Sequence, residues 1–207
     1  MSEDDKKFKG TTTIGIVFDG GVVVAAEKRA TMGTFIASKD VEKILMVGDR
    51  MAVTTAGGVG DAQSLVRVIR AELEMYKYNR GSSLSVKGAA TLLANVLQGN
   101  KYFPYMVQLI IAGYDSAPHL YDLDLFGGLL EEKYTSTGSG SIVAYGILDA
   151  GYKDGLKQEE AVELAVRAIR AAIKRDSASG EGIDVVAITK GSVKRYKPFE
   201  VQQLKAA

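Results

Sequence analysis

The stretch Thr11-Thr12-Thr13-Ile14-Gly15-Ile16-Val17-Phe18, broken by Asp19-Gly20-Gly21 and resumed as Val22-Val23-Val24-Ala25-Ala26-Glu27-Lys28-Arg29-Ala30, decides how the chain folds. Both halves are rich in strand-forming residues, and the glycines between them can take the positive φ of a tight turn, so the segment reads as a β-hairpin. Taken as a three-residue loop, Asp19 to Gly21 pairs Phe18 with Val22, which sets Thr11 opposite Arg29 and Thr13 opposite Glu27 on one face. A slip of one residue would divide these four between faces, yet positions 27 to 30 lie beside Thr11 in any nearby register. By itself such a set is a charged strand edge of little energetic worth, and threonines opening a strand are ordinary.

Working outward, residues 1 to 10 mix three acids with three lysines and end in Gly10, as a leader outside the fold would. Two further strands are expected in Lys43–Gly48 and Met51–Gly57, split by Gly48-Asp49-Arg50. The period then changes. Ala62, Leu65, Val66, Ile69, Leu73 and Tyr76 recur at helical spacing with Asp61 placed to cap, and Val86, Ala89, Ala90, Leu93, Val96 and Leu97 repeat the pattern. Strands return over 105–114, 119–125 and about 130–135, followed by helices over 141–152 and 158–175, and by a last strand pair over 183–190 and 193–201. Strands, two helices, strands, two helices, strands: this order predicts an α+β sandwich of antiparallel sheets with helices covering the outer faces.

The 207 residues, 46% of them apolar, fit one compact domain. A formal charge of +1 offers no field to hold nucleic acid or an anionic membrane, and no apolar run is long enough to span a bilayer. The N-terminus lacks a signal-peptide core, so a cytoplasmic protein is expected. Cysteine is absent, which removes disulfides, thiolate nucleophiles and cysteine metal sites, and the single His119 follows an Ala-Pro turn where a structural role is expected. Neither metal nor cofactor is called for.

Several features could carry chemistry, each with an ordinary alternative. In Asp40–Gly48 the alternate positions Val41, Lys43, Leu45 and Val47 make one face apolar except for Lys43, which is either buried against a carboxylate such as Glu27 or snorkelling to a sheet edge. Gly57-Gly58-Val59-Gly60 before a helix offers free N–H groups to an oxyanion or a phosphate, and Gly138-Ser139-Gly140-Ser141 offers a second such loop. Neither matches the phosphate-loop pattern, and glycine turns commonly just join strand to helix. Arg175-Asp176-Ser177-Ala178-Ser179-Gly180 ends a helix with groups able to bind an amine, and is equally a helix terminus closed by Gly180.

Taken together, Lys9-Gly10-Thr11-Thr12-Thr13, Glu27-Lys28-Arg29, Lys43, Ala56-Gly57-Gly58-Val59-Gly60-Asp61-Ala62-Gln63, Thr137-Gly138-Ser139-Gly140-Ser141 and Arg175 through Gly180 resemble the archaeal-type proteasome β subunits, with matching intervals from Thr11 onward. The resemblance implies the N-terminal nucleophile hydrolase fold, a four-layer αββα sandwich. It also implies a threonine endopeptidase that removes residues 1–10 by cutting Gly10–Thr11 and leaves 11–207 as the catalytic domain. The freed α-amine of Thr11 would serve as general base, which removes the need for histidine. Carried over by position, Lys43 lowers the proton affinity of the Thr11 hydroxyl, Glu27 holds Lys43 ionised, and Asp176, Ser139 and Ser179 fix the amine and a water. The N–H of Gly57 faces the oxyanion. Ala30, Thr31, Val41, Leu45, Thr55 and Val59 shape a mostly apolar pocket, with no charge besides Lys43, for the residue before the cut, so large apolar residues are the expected preference.

The partners implied are proteasome α subunits and further β subunits in stacked heptameric rings, ATP-dependent unfoldase regulators acting through the α rings, and unfolded polypeptides as substrates. Three rivals are weaker. The bacterial two-ring relative lacks two full helix pairs at this length. A non-catalytic ring subunit of the same fold would lose the Thr, Lys and Asp set. A nucleotide-binding module would need the phosphate-loop lysine that is missing here.

Overall fold

The structure, a computed structural model, describes residues 10–203, so the expected leader lies outside the described residues except for Gly10. The opening hairpin forms from β1 (Thr13–Phe18) and β2 (Gly21–Glu27). Its turn is shorter than the three-residue loop expected from sequence. Asp19-Gly20 alone makes it, with Gly20 at φ 85°, so Val17 pairs with Val22 and Thr13 with Ala26. Gly21 is drawn into the ladder, opposite both Phe18 and Thr189, because the Phe18 ring packs where a side chain would stand. Thr12 rather than Thr13 thus becomes the neighbour of Glu27, whose N–H donates to the Thr12 carbonyl at 3.3 Å.

The chain continues through a small hairpin that sequence reading did not separate, β3 (Ala30–Met32) and β4 (Phe35–Ser38). Then come β5 (Ile44–Gly48), β6 (Met51–Gly57), α1 (Val59–Arg80) and α2 (Val86–Gly99). Next are β7 (Val107–Tyr114), β8 (Pro118–Leu123), β9 (Leu129–Glu131) and β10 (Tyr134–Thr137). The last elements are α3 (Ser141–Gly151), α4 (Gln158–Arg175), β11 (Ile183–Thr189), β12 (Val193–Arg195) and α5 (Pro198–Gln203).

One antiparallel sheet has the order β10-β1-β2-β11-β12 and the other β5-β6-β7-β8-β9. Side chains alternate across each strand, which makes three apolar layers. Val22, Val24, Ala26, Ile110, Ala112 and Leu120 fill the space between the sheets. The opposite faces carry α3 and α4 over Ile14, Ile16 and Val23, and α1 and α2 over Val53, Leu109 and Ile111. This is the sandwich of antiparallel sheets with outer helices that the element order predicted, in the αββα arrangement the resemblance implied.

Two expected strands are corrected. The run near 130–135 is two strands in different sheets, since Glu132-Lys133 carries the chain from β9, paired to β8, across to β10, paired to β1. The final run keeps only three strand residues before Pro198, which cannot donate to a ladder and instead opens α5. Tyr76, expected on the core face of the first helix, is 37% exposed.

Candidate active site

Thr11 precedes β1, and its buried hydroxyl is held on two sides. Lys43 Nζ donates to Thr11 Oγ1 at 2.9 Å, and Thr11 Oγ1 donates to the Gly10 carbonyl at 2.7 Å. Behind it Thr13 Oγ1 lies 2.9 Å from Thr54 Oγ1 and 2.7 Å from Thr137 Oγ1, tying β1 to a strand of the other sheet and to its own neighbour β10.

Lys43 leads into β5 and is 4% exposed, so the buried reading of this residue is the correct one. Its ammonium also contacts Glu27 Oε1 and donates to the Arg29 carbonyl at 2.6 Å. Glu27, at the end of β2 and 0% exposed, accepts further from Thr12 N at 3.3 Å, Arg29 N at 2.7 Å and Gly180 N at 2.9 Å. These donors satisfy a buried carboxylate that would otherwise be costly to place there. Burial lowers the Lys43 pKa from its ordinary value, with Glu27 pulling the other way and Asp176 adding to that pull. Arg29, noted in the sequence only as a strand-edge charge, contributes through its backbone carbonyl, which no side-chain pattern could reveal.

The end of α4 supplies the other side. Asp176 is the C-cap of the helix, with extended φ and ψ, so Gly180 is not the terminator expected from sequence. The intervening turn instead folds back: Ser139 Oγ and Ser179 Oγ each donate to Asp176 Oδ2 at 2.6 Å, Thr11 N donates to Ser139 Oγ at 3.2 Å, and Ser179 Oγ lies 2.7 Å from Thr12 Oγ1. Gly180 packs beneath the Arg29 guanidinium, where a Cβ would collide. The Gly138–Ser141 loop wraps the Thr11 carbonyl, which accepts from Gly140 N at 3.3 Å. Gly138 has φ 92°, and a Cβ there would fall on that carbonyl.

Gly57 closes β6 at φ 115°. Thr55 N donates to the Lys43 carbonyl at 3.0 Å, and strand alternation turns the Gly57 N–H to the same edge, beyond the first residue of β5. The helix after it is not capped by Asp61 as expected; Gly58 is the N-cap, and Asp61 Oδ2 instead accepts from Met106 N at 2.9 Å while the Met106 carbonyl accepts from Gly58 N at 2.7 Å.

Beside Thr11 opens a cavity of about 340 Å³ lined by Ala30, Val41, Leu45, Thr55 and Val59, with Lys43 and Gly57. Thr31 lies buried in β3 and is not among its lining residues. The lining also differs from the expectation of a single charge, because Arg29, Asp40 and Glu42 border it. His119 stands elsewhere, on β8, with Nδ1 2.8 Å from Glu131 Oε1. Among the described residues no group of three acidic or histidine side chains could hold a metal ion, and no helix is long and apolar enough to cross a membrane.

A buried threonine hydroxyl lies between an ammonium and a peptide carbonyl, and the sequence profile described as proteasome subunit matches residues 7–188. The chain belongs to the proteasome subunit family. It is 51% identical over 207 residues to a protein named proteasome subunit beta of Methanosarcina barkeri, covering 99% of this chain and 98% of that one. Proteins of the same name from Methanohalophilus mahii and Archaeoglobus fulgidus are each 53% identical, over 204 and 205 residues, with 98% of this chain and 97% and 96% of theirs covered. Proteasome subunits of this family assemble with one another, and the relatives' names point to a protease.

Proposed function

We propose that the chain is the catalytic β subunit of a proteasome core, a threonine endopeptidase that exposes Thr11 by cutting its own Gly10–Thr11 bond. The observation that carries this reading is the position of Thr11 Oγ1, 2.9 Å from Lys43 Nζ and 2.7 Å from the Gly10 carbonyl oxygen. In the precursor Oγ1 attacks the Gly10 carbonyl carbon, the C–N bond breaks, and the leader is left as an ester on Oγ1 beside a free α-amine. Water then releases it as a carboxylate and restores the hydroxyl.

In the mature chain the α-amine, near pKa 7.7 to 8.0 in model compounds, takes the hydroxyl proton as Oγ1 attacks a substrate carbonyl. Ser139 and Ser179, oriented by Asp176, hold that amine and the hydrolytic water. Lys43 offers a fixed positive charge to the forming alkoxide, and the Gly57 N–H meets the oxyanion, a contact whose loss typically costs about 3 to 4 kcal/mol of barrier. The cavity seats the residue before the cut, with large apolar side chains preferred. The setting is cytoplasmic: β rings stacked with α rings, through which ATP-dependent unfoldases deliver unfolded polypeptides.

A purely structural ring subunit is the alternative, and the joint presence of Thr11, Lys43 and Asp176 in one cluster argues against it. The deciding experiment is intact mass and N-terminal sequencing after co-assembly with an α partner, with Thr11→Ala as control. A product beginning at Thr11, absent from the control and accompanied by peptide hydrolysis, is expected. A leader retained in assembled rings would overturn the proposal.

A further inference from the structure

In the uncut chain the Thr11 nitrogen carries the Gly10 carbonyl group, and the surrounding residues fit that planar unit closely. Its oxygen accepts from Thr11 Oγ1 at 2.7 Å, and the Thr11 N–H donates to Ser139 Oγ at 3.2 Å. Lys43 Nζ, 2.9 Å from Thr11 Oγ1, sets a buried positive charge one hydrogen bond further from the same oxygen. Gly10 is buried, and a Cβ on it would stand 2.9 Å from Ser139 Oγ and collide with Ala178. Gly10 also borders the cavity of about 340 Å³, by which a small molecule can approach the Thr11 nitrogen.

A carboxyl group on that nitrogen has the outline of the amide it replaces. One oxygen takes the place of the Gly10 oxygen and the other that of the Gly10 Cα, with a carbon–oxygen bond of about 1.2 Å instead of a carbon–carbon bond of about 1.5 Å, so Ala178 need not move. The charged groups around it are the cations Lys43 and Arg29, and the anions Glu27 and Asp176, which are already engaged by hydrogen bonds. A single added negative charge is therefore held by the Thr11 hydroxyl, itself bound to Lys43.

Resting on the proteolytic reading above, we infer that the mature Thr11 α-amine is a site of reversible carboxylation by dissolved carbon dioxide, and that the adduct switches the enzyme off. The neutral nitrogen attacks the carbon of carbon dioxide and the N–C bond forms. One C–O π pair becomes an oxygen lone pair bearing the negative charge, and the nitrogen gives one proton to water. Thr11 then carries a carbamate whose nitrogen lone pair is delocalised as in the precursor amide, so no base takes the hydroxyl proton. Loss of carbon dioxide and return of the proton restore the amine. With a pKa of roughly 7.7 to 8.0 in model compounds, against roughly 10.4 for lysine, the α-amine is the group most available to this reaction near neutral pH.

The test uses co-assembled, processed enzyme at one slightly alkaline pH and one ionic strength, equilibrated either with isotopically labelled carbon dioxide and bicarbonate or with nitrogen and chloride. Triethyloxonium ion, which ethylates carbamates and so fixes them, is followed by mass spectrometry of the N-terminal peptide, with peptide hydrolysis measured in parallel. Thr11 is expected to carry the label at severalfold higher occupancy than a free peptide of residues 11–14 treated alike, because the site holds the anion. Hydrolysis should fall saturably with carbon dioxide and recover on degassing. Label no higher than on the free peptide overturns the inference, as does label with unchanged hydrolysis. Lost activity without trapped label also overturns it, since bicarbonate would then be acting as a bound anion. A chain that keeps its leader after co-assembly overturns the proteolytic reading itself, a distinct result visible in the intact mass before any gas is added.

Discussion

Lys43 Nζ lies 2.9 Å from Thr11 Oγ1 while two further acceptors, Glu27 Oε1 and the Arg29 carbonyl, surround the same nitrogen. An ammonium has three donors, so these three acceptors match its charged form. Lys43→Met should lower peptide hydrolysis by about 10²- to 10⁴-fold, the span typical of proton-transfer assistance, and slow processing alongside. Lys43→Arg should not rescue it, because a planar guanidinium cannot aim single donors at this trio. Glu27→Ala leaves a cation buried without its counter-charge and should cost about 3 to 5 kcal/mol of stability, measured by denaturant unfolding. Full activity in Lys43→Met would remove this residue from the mechanism.

The pH profile of the processed enzyme should be bell-shaped. Activity rises with pH as the Thr11 α-amine loses its proton, with a midpoint near the roughly 7.7 to 8.0 of model amines. It falls again when Lys43 becomes neutral. Because burial lowers the Lys43 pKa, that descending limb should lie below the roughly 10.4 of a free lysine. Since the buried ammonium is the disfavoured form, its cost to the fold is present below its folded pKa and fades as pH rises through it. Acetylation of the mature N-terminus should abolish the ascending limb with the activity, and a profile unchanged by it would exclude the amine as base.

How much of this was legible depended on the kind of contact. The sandwich of antiparallel sheets with outer helices followed from the order of elements, and Val22 to Ala26 and Leu109 to Ala112 are apolar on both faces, as strands buried between a sheet and a helix layer must be. The register of the first hairpin was not, because three candidate turn residues allow two loop lengths and only packing of Phe18 over Gly21 selects one. Glu27 and Lys43 were legible as an apolar-face anomaly with a candidate partner. The Arg29 carbonyl, the Met106 contact of Asp61 and the Gln108–Gly138 bond were not, as each uses a backbone group whose direction depends on tertiary structure.

Gly138 should be intolerant of any side chain. Its φ of 92° strains an L-residue, and a Cβ would strike the Thr11 carbonyl that Gly140 N binds. Gly138→Ala is expected to lose about 1 to 3 kcal/mol of stability and to leave the Gly10–Thr11 bond uncut, since the shift displaces the attacking residue itself. Processing at the normal rate, followed by mass after co-assembly, would contradict this. Gly146 has open space around it, so Gly146→Ala is the matched control and should process normally.

Thr55 offers the cleanest probe of substrate preference. It lines the cavity beside Thr11 with Val41, Leu45 and Val59, while Asp40 and Glu42 border the same space with side chains 80% and 54% exposed. Apolar walls with carboxylates toward solvent should favour Leu, Phe or Tyr before the cut and disfavour Asp or Glu by at least about tenfold in kcat/KM. Thr55→Leu adds volume inside the cavity without adding charge. It should lower kcat/KM for Phe and Tyr substrates by about 10-fold or more, in line with the roughly 1 to 3 kcal/mol attached to a methylene-sized misfit, and leave an Ala substrate nearly unchanged. A uniform loss across all side chains would mean that Thr55 supports the neighbouring Lys43 strand rather than the substrate. Equal rates across the panel in both enzymes would show that the residue before the cut does not occupy this cavity.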